Sequence, residues 1–205
     1  MRSVLAFRPV LKRICVFAGS SSGVRPEYEA SARALGEALA MRRIAVVYGG
    51  ASVGLMGALA DAALGAGGLV TGVIPRSLMD REVAHSGLTD LVVVESMHAR
   101  KAEMSRLSDG FIALPGGAGT MEELFEVWTW GLLGLHSKPF GLLDASGYFD
   151  ELKVFLDKMV SEGFLRSEYR KMLHVEEDPG RLLDLLDSYE PPVKKWSSAI
   201  SPDKC

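Results

Sequence analysis

Cysteine is scarce in this chain of 205 residues: Cys15 lies in an apolar run and Cys205 is the last residue. Two cysteines so placed give neither the framework of a disulfide-rich secreted domain nor the paired spacing of a zinc site. Chains without disulfides are typical of a reducing compartment. The sequence therefore predicts a cytoplasmic protein without a structural metal ion.

An excess of charge of one sign is also lacking. Lysine and arginine number 23 against 26 aspartates and glutamates, which gives a formal net charge of -3. Proteins that bind duplex nucleic acid usually present a broad basic field. Nucleic acid is therefore not an expected partner.

Long unbroken apolar runs are missing as well. Arg8 and Lys12 interrupt the N-terminal residues, so these do not form the apolar core of a secretory signal. The stretch 54–74 has Asp61 as its only charge and is long enough to span a bilayer. Because the glycine-rich residues 65–68 divide it, we expect a buried helix followed by a buried strand, and no membrane partner.

What the chain does have is a regular alternation of apolar runs and amphipathic segments. The runs show no polar alternation, which is typical of parallel strands covered on both faces; they lie at 14–18, 44–48, 69–74, 91–94, 111–114, 140–143 and 172–175. Helical periodicity occurs at 25–40, 54–64, 97–108, 120–133, 148–162 and 179–189. This order predicts an α/β fold, a Rossmann-like doubly wound parallel sheet with helices on both faces. We expect a single nucleotide-binding domain over 1–190 and a loose C-terminal tail over 191–205.

Glycine is abundant, with 22 residues, nine of which fall in three predicted strand-to-helix turns. Doubly wound sheets bind ligands at this edge. In the first turn, 19–23, a phosphate or ribose contact from Ser20 and a simple helix-capping loop are both open interpretations. The second turn, 49–57, does not fit G-x-G-x-x-G, and no acidic residue follows to hold a ribose, which argues against a hydride-transfer cofactor. Tight turning and close helix packing are an alternative reason for its glycines.

The third turn, 114–123, reads L-P-G-G-A-G-T-M-E-E and opens a predicted helix. Gly116, Gly117 and Gly119 leave backbone N–H groups free to hold an anion, and Thr120 can cap the helix or donate to a phosphate oxygen. No lysine follows as in a P-loop, so a monophosphate suits the loop better than a triphosphate with magnesium.

Two glutamates, Glu122 and Glu123, are expected in the first turn of that helix, where the dipole favours ionised carboxylates. Glu122 shares a helix face with Glu126, which leaves Glu123 as the distinct carboxylate. Alternatively, both only favour the helix start. Upstream, the sequence M-H-A-R-K at 97–101 opens the preceding predicted helix. Its basic residues could bind phosphate, pair with Glu123 or form a solvated face.

Together, the motifs P-G-G-x-G-T-x-x-E at 115–123 and M-H-x-R-K at 97–101 resemble the two signatures of the LOG (Lonely Guy) family. These proteins are phosphoribohydrolases that release cytokinin free bases from their nucleoside 5'-monophosphates. The similarity runs over about 12–186, and both motifs fall at the expected strand-to-helix turns in the expected order. Members have often been labelled lysine decarboxylases, but no lysine stands in a recognisable setting for a Schiff base with pyridoxal phosphate.

The resemblance implies that Arg100 and Glu123 form the catalytic pair. Taken with the turns described above, it implies substrate contacts from Ser20, Gly49, Gly50, Glu82, Met97, Arg100, Lys101, Gly116, Gly117, Ala118, Gly119, Thr120, Met121 and Glu122. The sequence departs from the family pattern at Ala51, where a third glycine is frequent, and at Ala118, where an aromatic residue is frequent. Both departures bear on substrate preference.

The expected reaction is hydrolysis of the N-glycosidic bond of adenosine 5'-monophosphates, plain or N6-substituted, to a free base and ribose 5-phosphate. Such cleavage passes through a ribosyl cation, so the site needs a negative group and a water near C1'. As a hypothesis, Glu123 stabilises this cation and orients the water. Arg100 positions Glu123 and assists the leaving base. No cofactor or metal is needed. The competing interpretation is a nucleotide-binding or sensing module of the same fold that performs no cleavage.

The predicted helix 120–133 is apolar on more than one face, with tryptophans at 128 and 130. Such a helix must be buried on several sides, which predicts packing against a second copy in a homodimer. The resemblance also implies a dimer, with the site near the subunit boundary. The alternative is that both tryptophans belong to the core of their own domain.

Overall fold

The computed structural model describes residues 11–79 and 84–192. Seven strands form one sheet in the order β4-β3-β2-β1-β5-β6-β7, and every neighbouring pair is parallel. The strands are β1 (Arg13–Phe17), β2 (Ala45–Tyr48), β3 (Val70–Pro75), β4 (Asp90–Val94), β5 (Gly110–Ala113), β6 (Phe140–Leu143) and β7 (Leu173–Glu176). Each lies within a few residues of an expected apolar run. Glu82 and residues 193–205 of the expected tail lie outside the described residues.

The helices between the strands also match the expected segments. They are α1 (Pro26–Met41), α2 (Gly54–Gly65), α3 (Met97–Leu107), α4 (Ala118–Leu132), α5 (Asp150–Ser161), the short α6 (Ser167–Arg170) and α7 (Pro179–Asp187). Sequence periodicity did not predict α6 or the single 3-10 turns Arg76–Leu78 and Ala145–Gly147. These elements are shorter than the window over which helical periodicity can be recognised.

Helices cover the sheet on both faces, and β1 shows how. Ile14 and Val16 pack into one apolar cluster with side chains of α1, α2 and α7. Cys15 and Phe17 point to the other cluster, which includes residues of α3, α4 and α5. Because both faces of the strand are buried, no polar residue alternates along it. The predicted fold class, a Rossmann-like doubly wound parallel sheet, is confirmed.

The chain reverses its direction of travel across the sheet at β1. It adds β2, β3 and β4 on one side of β1, then returns to add β5, β6 and β7 on the other. The carboxyl ends of β1, β2 and β5 are therefore neighbours at a topological switch point, where open α/β sheets bind ligands. The three glycine turns follow these three strands, as the sequence predicted.

The long apolar stretch 54–74 divides between α2 and β3, as expected. Within residues 11–79 and 84–192, the structure contains no helix with the length and apolar character needed to cross a bilayer.

Close contact between α1 and α2 makes Gly36 a test of the packing. A Cβ at Gly36 would lie 2.5 Å from the carbonyl oxygen of Leu59 and 2.9 Å from the nitrogen of Ala63. We expect Gly36→Ala to lower the free energy of unfolding by about 1–3 kcal/mol, because overpacking outweighs the helix propensity gained. Urea denaturation measures the change.

Gly65→Ala is the matched control. Gly65 is the last residue of α2, and a Cβ there would have no neighbour within 4 Å. Its substitution is expected to be neutral or to stabilise by up to about 1 kcal/mol. A Gly36→Ala variant as stable as the wild type would show that α1 and α2 are not in such close contact.

Candidate active site

The three glycine turns are joined through the backbone of Gly19. Its N–H donates to the carbonyl of Pro115 at 3.1 Å, and its own carbonyl accepts from the N–H of Leu55 at 3.1 Å. The first and second turns also touch at Gly54, which has φ +60° and whose Cβ, if present, would overlap the backbone of Ser20. Such an approach leaves no space for a side chain. The turns therefore form one continuous floor at the sheet edge.

A cavity of about 310 Å³ opens above this floor, between the first and third turns. Tyr28, Leu55 and Tyr148 close its sides. The rings of Tyr28 and Tyr148 meet edge to face with centroids 5.5 Å apart, and the Tyr148 hydroxyl donates to the carbonyl of Gly116 at 2.6 Å. Neither tyrosine was among the residues predicted to form the site. The available signal for Tyr148 was an aromatic residue just after β6, at the same sheet edge as the glycine turns.

The helix after the third turn begins earlier than predicted. The expected start was residue 120, but α4 begins at Ala118 with Gly117 at the N-cap. Thr120 is therefore not the cap; it is 4% exposed inside the first turn, and a Cβ on Gly116 would overlap its hydroxyl. Gly117 and Gly119 have open space where a side chain would be. Gly116 is thus needed for packing, while the exposed N-terminus of α4 can receive an anion.

The two glutamates occupy a different position from the one expected. Glu122 and Glu123 are the fifth and sixth residues of α4, and no acidic residue lies in its first turn. The prediction that both glutamates lie in the first turn of the helix, where the dipole acts, is therefore wrong.

Lys101 connects α3 to α4. Its Nζ lies 2.5 Å from Oε1 of Glu122 and 3.1 Å from Oε2 of Glu126, so the predicted shared face of these glutamates receives one ammonium group. The hydrogen bond with Glu122 raises the pKa of Lys101. Only 11% of the Lys101 side chain is exposed, so it is not part of a solvated basic face. Two predicted substrate contacts, Lys101 and Glu122, therefore bind each other.

Arg100 is buried, with 5% of its surface exposed. One terminal nitrogen, Nη2, donates to the carbonyl of Gly49 at 3.1 Å, and Nη1 lies 3.8 Å from Sδ of Met97. A Cβ on Gly49 would overlap Nη2, so a side chain at this position would displace the guanidinium of Arg100. The second glycine turn therefore holds the arginine of the first motif.

Cys15 is a buried residue on which the charges of Arg100 and Glu123 both act. Its thiol is buried in β1, and burial is the main reason that its pKa is raised well above the usual value. The carboxylate of Glu123 raises this pKa further, while the charge of Arg100 lowers it. Both charges therefore act on the same sulfur. The ion pair of Lys101 with Glu122 joins the two helices that carry the residues implied as a catalytic pair.

The other predicted contacts are distributed around the same edge. Ser20, Met97, Gly117, Ala118 and Gly119 are exposed, whereas Met121 is half-buried. Gly49 and Gly50 are buried and form the floor beneath Arg100. The described part of the chain contains no cluster of three or more side chains that could bind a metal ion through histidine, cysteine, aspartate or glutamate.

These features define a doubly wound α/β protein with a phosphate-type loop at its topological switch point, and with a buried arginine and a glutamate on the helices that precede and follow β5 in the chain. A family model described as "Possible lysine decarboxylase" matches residues 56–186. The chain is 49% identical over 189 residues to the cytokinin riboside 5'-monophosphate phosphoribohydrolase LOG7 of Arabidopsis thaliana, covering 92% of this chain and 87% of that protein. It is 48% identical over 189 residues to the probable phosphoribohydrolase LOGL2 of Oryza sativa subsp. japonica, covering 92% and 78%. The chain belongs to the LOG family.

Solved structures with the same fold are more distant in sequence. The molybdenum cofactor carrier protein of Chlamydomonas reinhardtii superposes with a TM-score of 0.64 at 22% identity, covering 84% of this chain and 94% of that one. The molybdenum cofactor binding protein of Rippkaea orientalis gives a TM-score of 0.65 at 23% identity, covering 86% and 95%. At this identity the likeness concerns the fold alone.

Tyr148→Phe tests the support of the third turn. The change keeps the ring but removes the donor to the Gly116 carbonyl, a hydrogen bond typically worth about 1 kcal/mol. We expect the affinity for AMP, measured by calorimetry, to fall by about threefold to tenfold, while the free energy of unfolding falls by no more than about 1 kcal/mol. As a control, Ser161→Ala removes a hydroxyl that donates to the carbonyl of Lys158 on α5 and should leave binding intact. Wild-type affinity in Tyr148→Phe would show that this tyrosine does not support the loop.

Proposed function

We propose that this chain hydrolyses the N-glycosidic bond of adenosine 5'-monophosphates, with or without an N6 substituent, and releases the free base and ribose 5-phosphate. The observation that carries the proposal is that α3, with buried Arg100, is joined to α4, with Glu123, by the ion pair of Lys101 with Glu122, close to the exposed start of α4. Curated relatives at 47–49% identity are named as phosphoribohydrolases of cytokinin riboside 5'-monophosphates, which supports the same chemistry here.

The 5'-phosphate binds at the N-terminus of α4. The backbone at Gly117, Ala118 and Gly119 is exposed, and the first N–H groups of a helix carry a partial positive charge. Ser20, exposed on the adjoining first turn, donates from the other side of the cavity. This contact is remote from the bond that breaks, so its binding energy orients the ribose for reaction.

Glu123 acts at the anomeric carbon. Its carboxylate stabilises the positive charge that develops at C1' and orients the attacking water. The water oxygen bonds to C1', the C1'–N9 electron pair leaves with the base, and one proton of the water is transferred overall to the base. Arg100 holds Glu123 in place and favours departure of the base. Because Arg100 is itself fixed by Gly49 and Met97, little reorganisation is needed during the reaction.

Lys101 and Glu122 support the same site by joining the two helices beside it. Their ion pair holds α3 against α4, and these helices carry Arg100 and Glu123 respectively. We propose that the pair sets the spacing between the two catalytic side chains in addition to contacting the nucleotide.

Pyridoxal phosphate, which the name lysine decarboxylase implies, does not fit these residues. Such an enzyme needs a lysine for the Schiff base beside its phosphate site. Lys101 is held by Glu122 and Glu126, and no lysine among the described residues lines the cavity over the glycine turns. No step of the proposed reaction uses this cofactor.

The apolar surface of α4 supports a homodimer. Leu124, Val127 and Trp128 are buried in the core, whereas Trp130 is half-buried and Leu133 is 48% exposed. Trp128 thus belongs to the core of its own chain, whereas the partly exposed apolar surface near Trp130 is available to pack against a second copy. The free, buried thiol of Cys15 suits a reducing compartment, and we place the dimer in the cytoplasm.

Glu123→Gln tests the proposed reaction. The change removes the negative charge but keeps the shape, so adenine release from AMP should slow by at least about 100-fold. AMP affinity should change by less than about threefold, since the phosphate supplies most of the binding. Chromatography of the products measures release, and calorimetry measures binding.

Glu103→Gln is the matched control, because Glu103 lies on α3 and pairs with Arg106 at 2.6 Å. It should release adenine at the wild-type rate. If Glu123→Gln kept the wild-type rate, Glu123 would not be catalytic. If the wild type bound AMP without releasing adenine, the chain would be a non-catalytic nucleotide-binding module.

Leu133→Asp tests the dimer. A charge on the apolar flank of α4 disfavours its burial, so light scattering at micromolar concentration should show two chains for the wild type and one for the variant. Met41→Asp alters an exposed apolar residue, 74% accessible, at the end of α1 and should remain dimeric. A monomeric wild type would contradict the proposal.

A further inference from the structure

The turn at 49–51 is held by a separate donor at each of its three successive carbonyls. The carbonyl of Gly49 accepts from Nη2 of Arg100 at 3.1 Å. The next carbonyl accepts from the backbone N–H of His85 at 2.9 Å, and the third accepts from the Tyr48 hydroxyl at 3.2 Å. All three turn residues are buried. The orientation of this turn therefore determines where the guanidinium of Arg100 is held.

Glycine makes this orientation easy to lose. Gly50 has φ +83°, and Gly49 precedes it, so two residues without a Cβ flank the peptide that bears the Gly49 carbonyl. Glycine restricts its own backbone less than any other residue, and sterics alone do not fix this peptide plane. The bond from His85 to the Gly50 carbonyl supplies a constraint that the sequence of the turn does not.

His85 is in turn fixed by its side chain. Its Nδ1 accepts from the N–H of Gly87 at 3.1 Å, so the ring proton of the neutral form lies on Nε2, which is 3.0 Å from Oδ1 of Asp61. Asp61 is the one charged residue of α2, and an antiparallel bridge between Ala51 and Ala84 completes the contact with the turn. The Asp61 carboxylate therefore anchors the segment that holds the Gly50 carbonyl.

We propose that Asp61 and His85 form a positioning pair for the reaction: they hold residues 84–87 against the turn at 49–51 and thereby fix the carbonyl to which Arg100 is bonded. The inference rests on the proposed function for its assignment of Arg100. Because the phosphate anchor belongs to the third turn, loss of the pair should change turnover and leave substrate affinity nearly unaltered.

Four variants separate the contact with Asp61 from the presence of the histidine. His85→Asn places an oxygen near the position of Nδ1 but cannot reach Asp61, and Asp61→Ala removes the acceptor. We expect each to lower kcat for AMP by about tenfold with KM changed by less than about twofold. His85→Gln places an amide nitrogen near the position of Nε2, and Asp61→Asn keeps an acceptor oxygen. These conservative variants should retain kcat within about threefold.

Asp184→Ala is the control. Asp184, on α7, is likewise an exposed carboxylate, with 70% of its side chain accessible, and it pairs at 2.6 Å with Arg42 at the end of α1. It should leave kcat and KM unchanged.

Hydrogen–deuterium exchange of the His85 amide gives a second measurement that does not depend on turnover. Asp61→Ala should accelerate this exchange, while the unfolding midpoint and the exchange of core strands stay as in the wild type.

Wild-type kcat in both His85→Asn and Asp61→Ala, a change confined to KM, or unchanged exchange at His85 would overturn the inference. A wild-type protein that released no base would instead refute the proposed function. In that case the exchange of the His85 amide would still decide whether Asp61 holds the turn.

Discussion

Gly19 is the backbone junction on which the site depends. Its N–H binds the turn after β5 and its carbonyl binds the turn after β2, while its own chain emerges from β1. A Cβ at this residue would lie 3.2 Å from Cα of Gly116 and 3.1 Å from the carbonyl oxygen of Ser21. The three turns meet here because the strands before them are neighbours, and a side chain at this residue would require its neighbours to shift by a few tenths of an ångström. The cavity and the side chains of the site lie above the surface that these joined turns form.

The electrostatics of the site follow from the same arrangement. The charges of Arg100 and Glu123 both act on the thiol of Cys15 in β1, and burial raises the pKa of this thiol well above its usual value. At neutral pH the thiol is therefore uncharged and adds no third charge to those that Arg100 and Glu123 present to a ligand. Desolvation strengthens such interactions, which suits stabilisation of a ribosyl cation.

The sequence predicted the strands well because the central strands β1, β5 and β6 are almost wholly buried and form nearly continuous apolar runs, while the half-buried edge strand β4 also keeps an apolar run. It predicted the start of α4 less well. Gly117 at the N-cap and Gly119 in the first turn resemble loop residues, since glycine is a poor helix former. The sequence pattern therefore places the helix start at Thr120, the first residue with a capping side chain. That shift of two residues carried Glu122 and Glu123 out of the first turn.

The sequence patterns do not predict which distant segments of the chain contact one another. The shared face of Glu122 and Glu126 follows from helical geometry, but their common partner, Lys101, depends on how α3 packs on α4. Tyr148 reaches the third turn from the segment after β6, and no local pattern predicts its bond to Gly116. The motifs therefore identified the chemistry of the site, whereas the groups that hold the motifs in place required the structure.

The phosphate requirement is the most direct test of this account, because a site built on the start of α4 should reject a nucleoside. Wild-type protein is incubated with AMP or with adenosine, and adenine and ribose 5-phosphate are quantified. The account predicts equal amounts of the two products from AMP and a kcat/KM for AMP at least about 1,000-fold above that for adenosine, since remote phosphate binding drives the reaction. Equal cleavage of AMP and adenosine would contradict it.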